Sequence, residues 1–256
     1  MLDYTLLGVY LLMFVRLSAF MAACPVFAQR YFPPLARIGL AAALAAALFP
    51  LVDAGSLALP AHPVGFAFDV VQEAFVGLGL GALTGLAFNA VRLAGQMAGL
   101  QIGYAIAEMF DPVSGEQNVI LAQFFYLLGL VFFFSIDGHH LLIAALAKSF
   151  EHIPPGAAVF KMNLAEIGAR AFQGMFVTAL RLAGPVIAIA LVTDLALGLM
   201  VRMVPQINVF MLGFPLKIAA GLVALAVTVP LLGGVLARVF EGMVRDVTVL
   251  ARGLGG

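Results

Sequence analysis

Residues Val64–Gly103 read VGFAFDVVQEAFVGLGLGALTGLAFNAVRLAGQMAGLQIG and form a long apolar stretch. It is long enough to cross a bilayer as a helix, for which about 20 residues are needed. Two glycine triplets with four-residue spacing run through it: Gly77, Gly81 and Gly85, then Gly95, Gly99 and Gly103. Four-residue spacing places small residues on one helix face, where a second backbone can approach closely. We therefore predict tight helix packing, either on another helix of this chain or on a neighbouring subunit.

The composition of the chain is that of a membrane protein. Hydrophobic residues make up 64% of the 256 residues and charged residues 10%, whereas soluble domains average about 25% charged residues. Thirteen basic and thirteen acidic side chains give zero net charge, so no basic face is available for nucleic acid. The single cysteine, Cys24, excludes an internal disulfide and a cysteine-rich metal site. We expect an all-α integral membrane protein with one domain, residues 1–256.

Six apolar segments are predicted to form the membrane helices. They run over Tyr4–Ala28, Ile38–Val52, Val64–Ala107, Val119–Ile136, Ala171–Val201 and Val209–Val239. A break is predicted at Asp137–Gly138, and a loop at Pro154-Pro155-Gly156. Proline removes a backbone hydrogen bond, so Pro185 should kink the fifth segment. For the same reason Pro215 and Pro230 should interrupt the sixth, and a polar tail that contains arginine ends the chain.

The charges that flank these segments do not give a consistent topology. Arg30 and Arg37 place the first loop in the cytoplasm by the positive-inside rule. Simple alternation then places the C-terminus outside, although Arg238, Arg245 and Arg252 argue for inside. Either one segment is re-entrant or split, or the helices do not cross the bilayer in the ordinary way. We favour the second explanation, because short spans and mid-segment charges agree with it.

Several ionisable side chains lie inside the apolar segments. Ionisable groups are costly in lipid and normally face protein or water. We therefore predict that six of them are buried and paired: Arg16, Asp69, Glu73, Arg181, Asp194 and Lys217. Asp69 and Glu73 are four residues apart and share one helix face. This pair either holds a proton or cation, as in transporters, or forms structural ion pairs with another helix or subunit. We favour structural pairing.

Asp137-Gly138-His139-His140 contains metal-ligating residue types. Adjacent residues on a helix point about 100° apart, so we expect the two histidines not to converge on one ion. We predict no metal site here, and we expect Asp137 to cap the following helix instead. The sequence Gly77-x-Gly79-x-Gly81 lies within an apolar helix and lacks the strand-turn-helix setting of a dinucleotide site. We accordingly expect no catalytic residue, no cofactor and no enzymatic activity.

The longest polar interruption between apolar stretches runs over Glu108–Asn118. Non-helical backbone at membrane depth is tolerated only inside protein or beside a water-filled cavity. The segment is therefore either an ordinary surface loop or, if it is buried, the constriction or plug of a pore.

In order and spacing, several motifs resemble the FliR family of the flagellar type III export gate, whose virulence-system counterpart is SctT. The matching pieces are Arg16 with Cys24-Pro25-Val26-Phe27, Glu73 with its glycine-rich helix, Ala94-Gly95-Gln96, Asp111-Pro112-Val113-Ser114-Gly115, Phe132-Phe133-Phe134 with Asp137-Gly138-His139-His140, Ser149-Phe150, Pro154-Pro155-Gly156, Pro205-Gln206-Ile207-Asn208-Val209-Phe210 and Gly213-Phe214-Pro215-Leu216-Lys217. The block after Gln206 looks more flagellar than virulence-type.

The resemblance implies a fold and a set of partners. FliR-like proteins join FliP and FliQ in a helical hetero-oligomer of bent hairpins, an export channel for unfolded flagellar subunits. FlhB wraps its entrance and FlhA lies beneath, at the flagellar basal body in the bacterial inner membrane. In the family, a loop of the FliR-like subunit closes the channel. By position this plug loop maps onto Phe110, Asp111, Pro112, Val113, Ser114, Gly115, Glu116, Gln117 and Asn118.

Two functions from different classes follow. The leading hypothesis is a non-enzymatic subunit of a protein export channel, surrounded by partner helices and membrane lipid. The alternative is a secondary transporter for a small solute, with helices broken at Pro185 and Pro215. In that reading Asp69, Glu73 and Asp194 are the coupling sites.

Overall fold

The computed structural model describes residues 4–28, 32–53, 57, 60, 62–103, 120–160, 163–204 and 209–255. Within these ranges the chain forms α-helices and short 3-10 helices, with no strand, as predicted. The α-helices are α1 (Tyr4–Ala23), α2 (Pro34–Leu48), α3 (Pro63–Gln101), α4 (Ile120–Ser135), α5 (Gly138–His152), α6 (Asn163–Met203), α7 (Val209–Thr228) and α8 (Gly233–Leu254). Two 3-10 helices, Phe49–Leu51 and Val229–Leu232, follow α2 and α7.

The described helices are long and apolar enough to span a membrane. Five stretches qualify alone: Tyr4–Ala23, Pro34–Leu51, Pro63–Gln101, Leu164–Met203 and Gly213–Leu254. The pair α4 and α5 qualifies together as one broken span, which brings the number to six. Each of these stretches overlaps one of the six apolar segments of the sequence, and the predicted break at Asp137–Gly138 separates α4 from α5.

Proline acts differently at its several positions. Pro34 occupies the first turn of α2, where the missing N–H would have had no helical partner. Pro185 and Pro215 lie inside α6 and α7, and both helices continue through them. The prediction that Pro215 interrupts its segment is therefore wrong, because a helix can lose one hydrogen bond without ending. Pro230 does fall in the 3-10 turn between α7 and α8.

The chain divides into two compact units. Unit 1 contains Met1–Ala87, Asp137–Phe172 and Phe240–Gly256, and unit 2 contains Phe88–Ile136 and Gln173–Val239. Helices α3, α6 and α8 each continue from one unit into the other. The expectation of a single domain over residues 1–256 stays a prediction.

Each unit has its own apolar core. In unit 1, α1 buries one face without interruption, and residues of α3, α5 and α8 are buried with it: Val9, Leu12, Leu17, Phe20, Val76, Leu80, Leu146, Phe240 and Val247. In unit 2 a buried cluster joins α3, α4, α6 and α7 through Ala98, Ile102, Leu121, Val186, Ala190 and Ala224. The prevalence of alanine at these positions permits close approach of the helix backbones.

The glycine triplets pack within the chain. All six members are buried. A Cβ on Gly77 would overlap the carbonyl oxygen of Arg16, and one on Gly81 would lie 2.7 Å from the carbonyl oxygen of Phe20. A Cβ on Gly95 would likewise overlap the carbonyl oxygen of Leu121. Of the two explanations that the sequence left open, helix packing inside this chain applies to these three glycines.

Candidate functional site

A buried ion pair in unit 1 joins Arg16 and Glu73. Arg16 lies in the middle of α1, and Glu73 lies in the first third of α3. Both side chains are fully buried. Arg16 Nε donates to Glu73 Oε2 at 2.5 Å and Arg16 NH2 donates to Glu73 Oε1 at 2.8 Å. This two-pronged geometry is the strong form of an arginine–carboxylate contact.

Further groups complete the coordination of both partners. Arg16 NH1 donates to the carbonyl oxygen of Ser149 at 3.2 Å, and the guanidinium lies over the ring of Phe150 at 4.4 Å. The backbone N–H of Gly156 donates to Glu73 Oε1 at 2.9 Å. The pair therefore ties together α1, α3, α5 and the loop that follows α5. Leaving either charge alone in this setting would be costly, because a buried unpaired ion costs about 3–5 kcal/mol.

Two glycines make this geometry possible. Gly77 follows Glu73 by one helical turn, and its lack of a side chain lets α3 approach the backbone of α1 at Arg16. Gly156 has a φ of +79°, which L side chains rarely adopt. A Cβ there would lie 3.1 Å from Asp69 Oδ2. Asp69 therefore lies beside the loop that Glu73 binds. This position agrees with the prediction that Asp69 and Glu73 share one face of their helix.

Glu73 is engaged through both of its carboxylate oxygens. Each oxygen accepts a hydrogen bond from Arg16, and Oε1 accepts a second one from Gly156. Within this chain Glu73 therefore forms the structural ion pair that we favoured over a proton or cation site.

The remaining charged candidates lie in unit 2 and are less buried. Lys217 Nζ donates to Asp194 Oδ2 at 2.8 Å, and their side chains are 17% and 42% exposed. Arg181 is exposed on α6, beside an apolar cavity of about 350 Å³ that Pro185 and Ile189 also line. This chain alone therefore does not bury Arg181 and Asp194, because the described parts of it do not cover their helix faces. Their burial in an assembly stays a prediction.

The Asp137-Gly138-His139-His140 segment differs from its prediction in two ways. Asp137 occupies the N-cap position of α5, but its side chain makes no capping hydrogen bond. Its backbone is left-handed, with a φ of 55°. The rings of His139 and His140 do not diverge, since their centroids lie 4.2 Å apart. Neighbouring Cα atoms are only 3.8 Å apart, so side-chain torsions can turn both rings to the same side.

The plug loop, Phe110–Asn118, lies outside the described residues. Sequence reasoning also missed the two backbone groups that complete the ion-pair site, the carbonyl of Ser149 and the N–H of Gly156. Both positions belong to motifs that carried the family resemblance, Ser149-Phe150 and Pro154-Pro155-Gly156. Almost any residue type can supply a backbone N–H or carbonyl, so the residue types in the sequence do not reveal such partners. Only the positions of these two motifs indicated them.

Comparison with known proteins assigns a family to most of the chain. The family described as "Bacterial export proteins, family 1" matches residues 7–243. Flagellar biosynthetic protein FliR of Bacillus subtilis is 38% identical over 236 residues, which cover 91% of this chain and 90% of that protein. The chain belongs to the FliR family of bacterial export proteins.

Other members of the FliR family match over similar lengths. FliR of Pectobacterium carotovorum is 34% identical over 219 residues, covering 86% of this chain and 83% of the relative. FliR of Escherichia coli is 33% identical over 226 residues, covering 88% and 86%. Membership in the FliR family identifies this chain as a membrane-embedded component of flagellum biogenesis and protein export. The recognition made from the sequence motifs is thereby confirmed.

Proposed function

We propose that this chain is a non-enzymatic subunit of the flagellar type III protein export channel and forms part of its pore. It resides in the bacterial inner membrane at the flagellar basal body. Its partners are homologues of FliP, FliQ, FlhB and FlhA, and its cargo is unfolded flagellar subunits. The observation that carries the proposal is the similarity to FliR proteins over about nine-tenths of both chains.

The apolar surface of α6 supports an assembly role. Large apolar side chains on this helix are more than half exposed, among them Leu180, Leu191, Val192, Leu195 and Leu199. Contiguous exposed apolar surface marks contact with other protein or with lipid. Helices of partner subunits are the proposed cover for this surface, and lipid covers what remains.

The paired charges support a channel rather than a solute transporter. Both oxygens of Glu73 are engaged by Arg16, and Asp194 is paired with Lys217. Transporters place ionisable groups where a substrate or coupling ion can reach them. In the proposed channel subunit these charges hold helices together, and transport is governed by steric occlusion.

We assign the occlusion to the plug loop, Phe110–Asn118. The assignment rests on its position between α3 and α4 and on the family resemblance of Asp111-Pro112-Val113-Ser114-Gly115. The loop blocks the resting channel and is displaced when a subunit is exported. Removing it should leave the channel open to small ions.

The export function is tested by deleting the gene from the source bacterium and measuring flagellar subunits in the culture medium. Their export should be lost and should return when the gene is supplied in trans. Native mass spectrometry of the gently purified chain should show it bound to several copies of two other small hydrophobic proteins. A stable monomer or homodimer, together with unchanged flagellar export, would exclude the channel function.

The plug assignment has its own test. A variant that lacks residues 110–118 should increase the inner-membrane permeability to small ions, measured by dye influx. The matched control lacks residues 53–61, a segment of the same length in another loop. Unchanged permeability in the first variant, in a membrane that holds the assembled complex, would contradict the assignment.

The transporter alternative makes the opposite prediction for Glu73. If Glu73 couples transport, Glu73→Gln should leave assembly intact and abolish ion-driven uptake. If the proposed channel role is correct, the same variant should reduce recovery of the chain with its partners. Measuring co-purification and uptake on the same membranes separates the two functions.

A further inference from the structure

The start of α5 brings three metal-ligating side chains together. Asp137, His139 and His140 each offer one ligand atom, and these atoms all lie within 4.8 Å of one another. All three belong to unit 1. They are separate from the Arg16–Glu73 site, and the export role assigned above does not use them.

The spacing of the ligand atoms suits a shared ion better than a direct contact. Asp137 Oδ1 and His140 Nδ1 are 3.9 Å apart, which is too long for a hydrogen bond. Zinc binds imidazole nitrogen and carboxylate oxygen at about 2.0–2.2 Å. Around a tetrahedral ion, two ligand atoms at these distances lie about 3.3–3.6 Å from each other. The three ligand atoms, which all lie within 4.8 Å of one another, therefore have to move closer by side-chain rotation when an ion binds.

The backbone explains why the carboxylate is available. Asp137 has a left-handed backbone conformation and occupies the N-cap position of α5, but its side chain forms no capping hydrogen bond. Its carbonyl oxygen instead accepts the N–H groups of His140 and Leu141, at 2.9 and 3.3 Å. The carboxylate is left beside the two rings, where its negative charge offsets the positive end of the helix dipole.

The donor set indicates the class of ion. Two imidazoles and one carboxylate suit zinc and related divalent transition metals, whereas calcium and magnesium prefer all-oxygen sites. Three protein ligands leave a coordination position for water. The side chains of Asp137 and His140 are 73% and 71% exposed, so an ion can reach the site from solvent.

We propose that Asp137, His139 and His140 form a binding site for a divalent transition-metal ion of the zinc class. The bound ion cross-links the first turn of α5 to the residue that precedes it. This reverses the expectation drawn from the sequence, which treated the two histidines as divergent and Asp137 as a cap.

The test uses the full chain, purified in detergent with an affinity tag that contains no histidine. Zinc affinity and stoichiometry are measured by competition with a chromophoric chelator. The two informative variants are Asp137→Asn, which tolerates the left-handed backbone, and His140→Ala. The matched controls are His62→Ala and His152→Ala, which alter the other two of the four histidines in the sequence.

The wild-type chain should bind one zinc ion. Asp137→Asn and His140→Ala should each weaken binding by at least about 100-fold, the upper end of what loss of a second-shell partner costs. Both controls should bind as the wild type does. Circular dichroism of each variant establishes that it is folded. Both altered positions are exposed, so neither substitution disturbs a core.

Three results would overturn the site. One is a wild-type stoichiometry far below one ion per chain. Another is wild-type affinity in both Asp137→Asn and His140→Ala. The third is an equal loss in His62→Ala or His152→Ala, which would show scattered binding to surface histidines. None of these binding measurements depends on flagellar export. They therefore test the metal site independently of the proposed export function.

Discussion

Gly77 lies directly against the carbonyl oxygen of Arg16, one helical turn after Glu73, the residue that binds the Arg16 side chain. The close backbone approach and the ion pair are therefore parts of one contact between α1 and α3.

Gly77→Ala should destabilise the chain. The added methyl group would overlap the Arg16 carbonyl and lie 2.8 Å from the Ala19 Cβ, so α1 and α3 must separate. Overpacking of this kind costs about 1–3 kcal/mol. Thermal unfolding in detergent measures the effect. Gly79→Ala is the control, since its nearest neighbour, Leu250 Cδ2, would be 3.5 Å away. Equal unfolding temperatures for the two variants would contradict this account.

Arg16→Met and Glu73→Met should each be strongly destabilising, because either one leaves a buried charge without its partner. A loss of about 3–5 kcal/mol is expected for each single variant. The double variant should lose much less than the sum, since it removes both charges together. Thermal unfolding of all four proteins gives this double-mutant cycle. Additive losses would mean that the two side chains act independently.

Gly156→Ala should destabilise through two separate causes. An L residue at a φ of +79° carries backbone strain of about 1–2 kcal/mol, and its Cβ would lie 3.1 Å from Asp69 Oδ2. Adding Asp69→Ala should relieve the crowding but not the strain, so stability should return only in part. Gly174→Ala is the control, because nothing lies within 4 Å of its added Cβ. Full recovery in the double variant would rule out a backbone contribution.

Cys24 should resist thiol reagents while the chain is folded. Its side chain has no exposed surface, and its backbone N–H is bonded to the carbonyl oxygen of Phe20 at 2.8 Å. A maleimide should therefore label the wild-type chain only after denaturation. His62→Cys in a Cys24→Ala background provides an exposed thiol that should react readily. Comparable labelling rates at the two positions in the native protein would place Cys24 at an accessible surface.

Apolar runs predicted the existence of the helices well, but they missed the extent of the last one. The sixth segment was expected to end at Val239 in a polar tail, yet α8 continues to Leu254. Beyond Val239 this helix buries a stripe at intervals of three and four residues: Phe240, Met243, Val247, Leu250, Ala251 and Leu254. The charged residues between them lower the average hydropathy, so a count of apolar residues stops early.

The sequence identified the charged residues of the candidate site, but it did not identify the groups to which they bond. Arg16 and Glu73 were singled out because ionisable groups are costly in an apolar segment. Their pairing spans 57 positions, and the bond from Arg16 to Ser149 spans 133. No local pattern encodes such distances. The prediction that the rings of His139 and His140 diverge was wrong for a local reason. An ideal helix fixes the Cα–Cβ directions of these two residues but not the torsions that orient their rings.

The buried ion pair also sets an order of events during synthesis. Glu73 leaves the ribosome 57 residues after Arg16, and Gly156 follows Glu73 by another 83. At about 5–20 residues per second, Arg16 spends roughly 3–11 s as a lone cation in an apolar helix. We therefore expect the nascent α1 to stay near water or lipid headgroups until α3 has been synthesised.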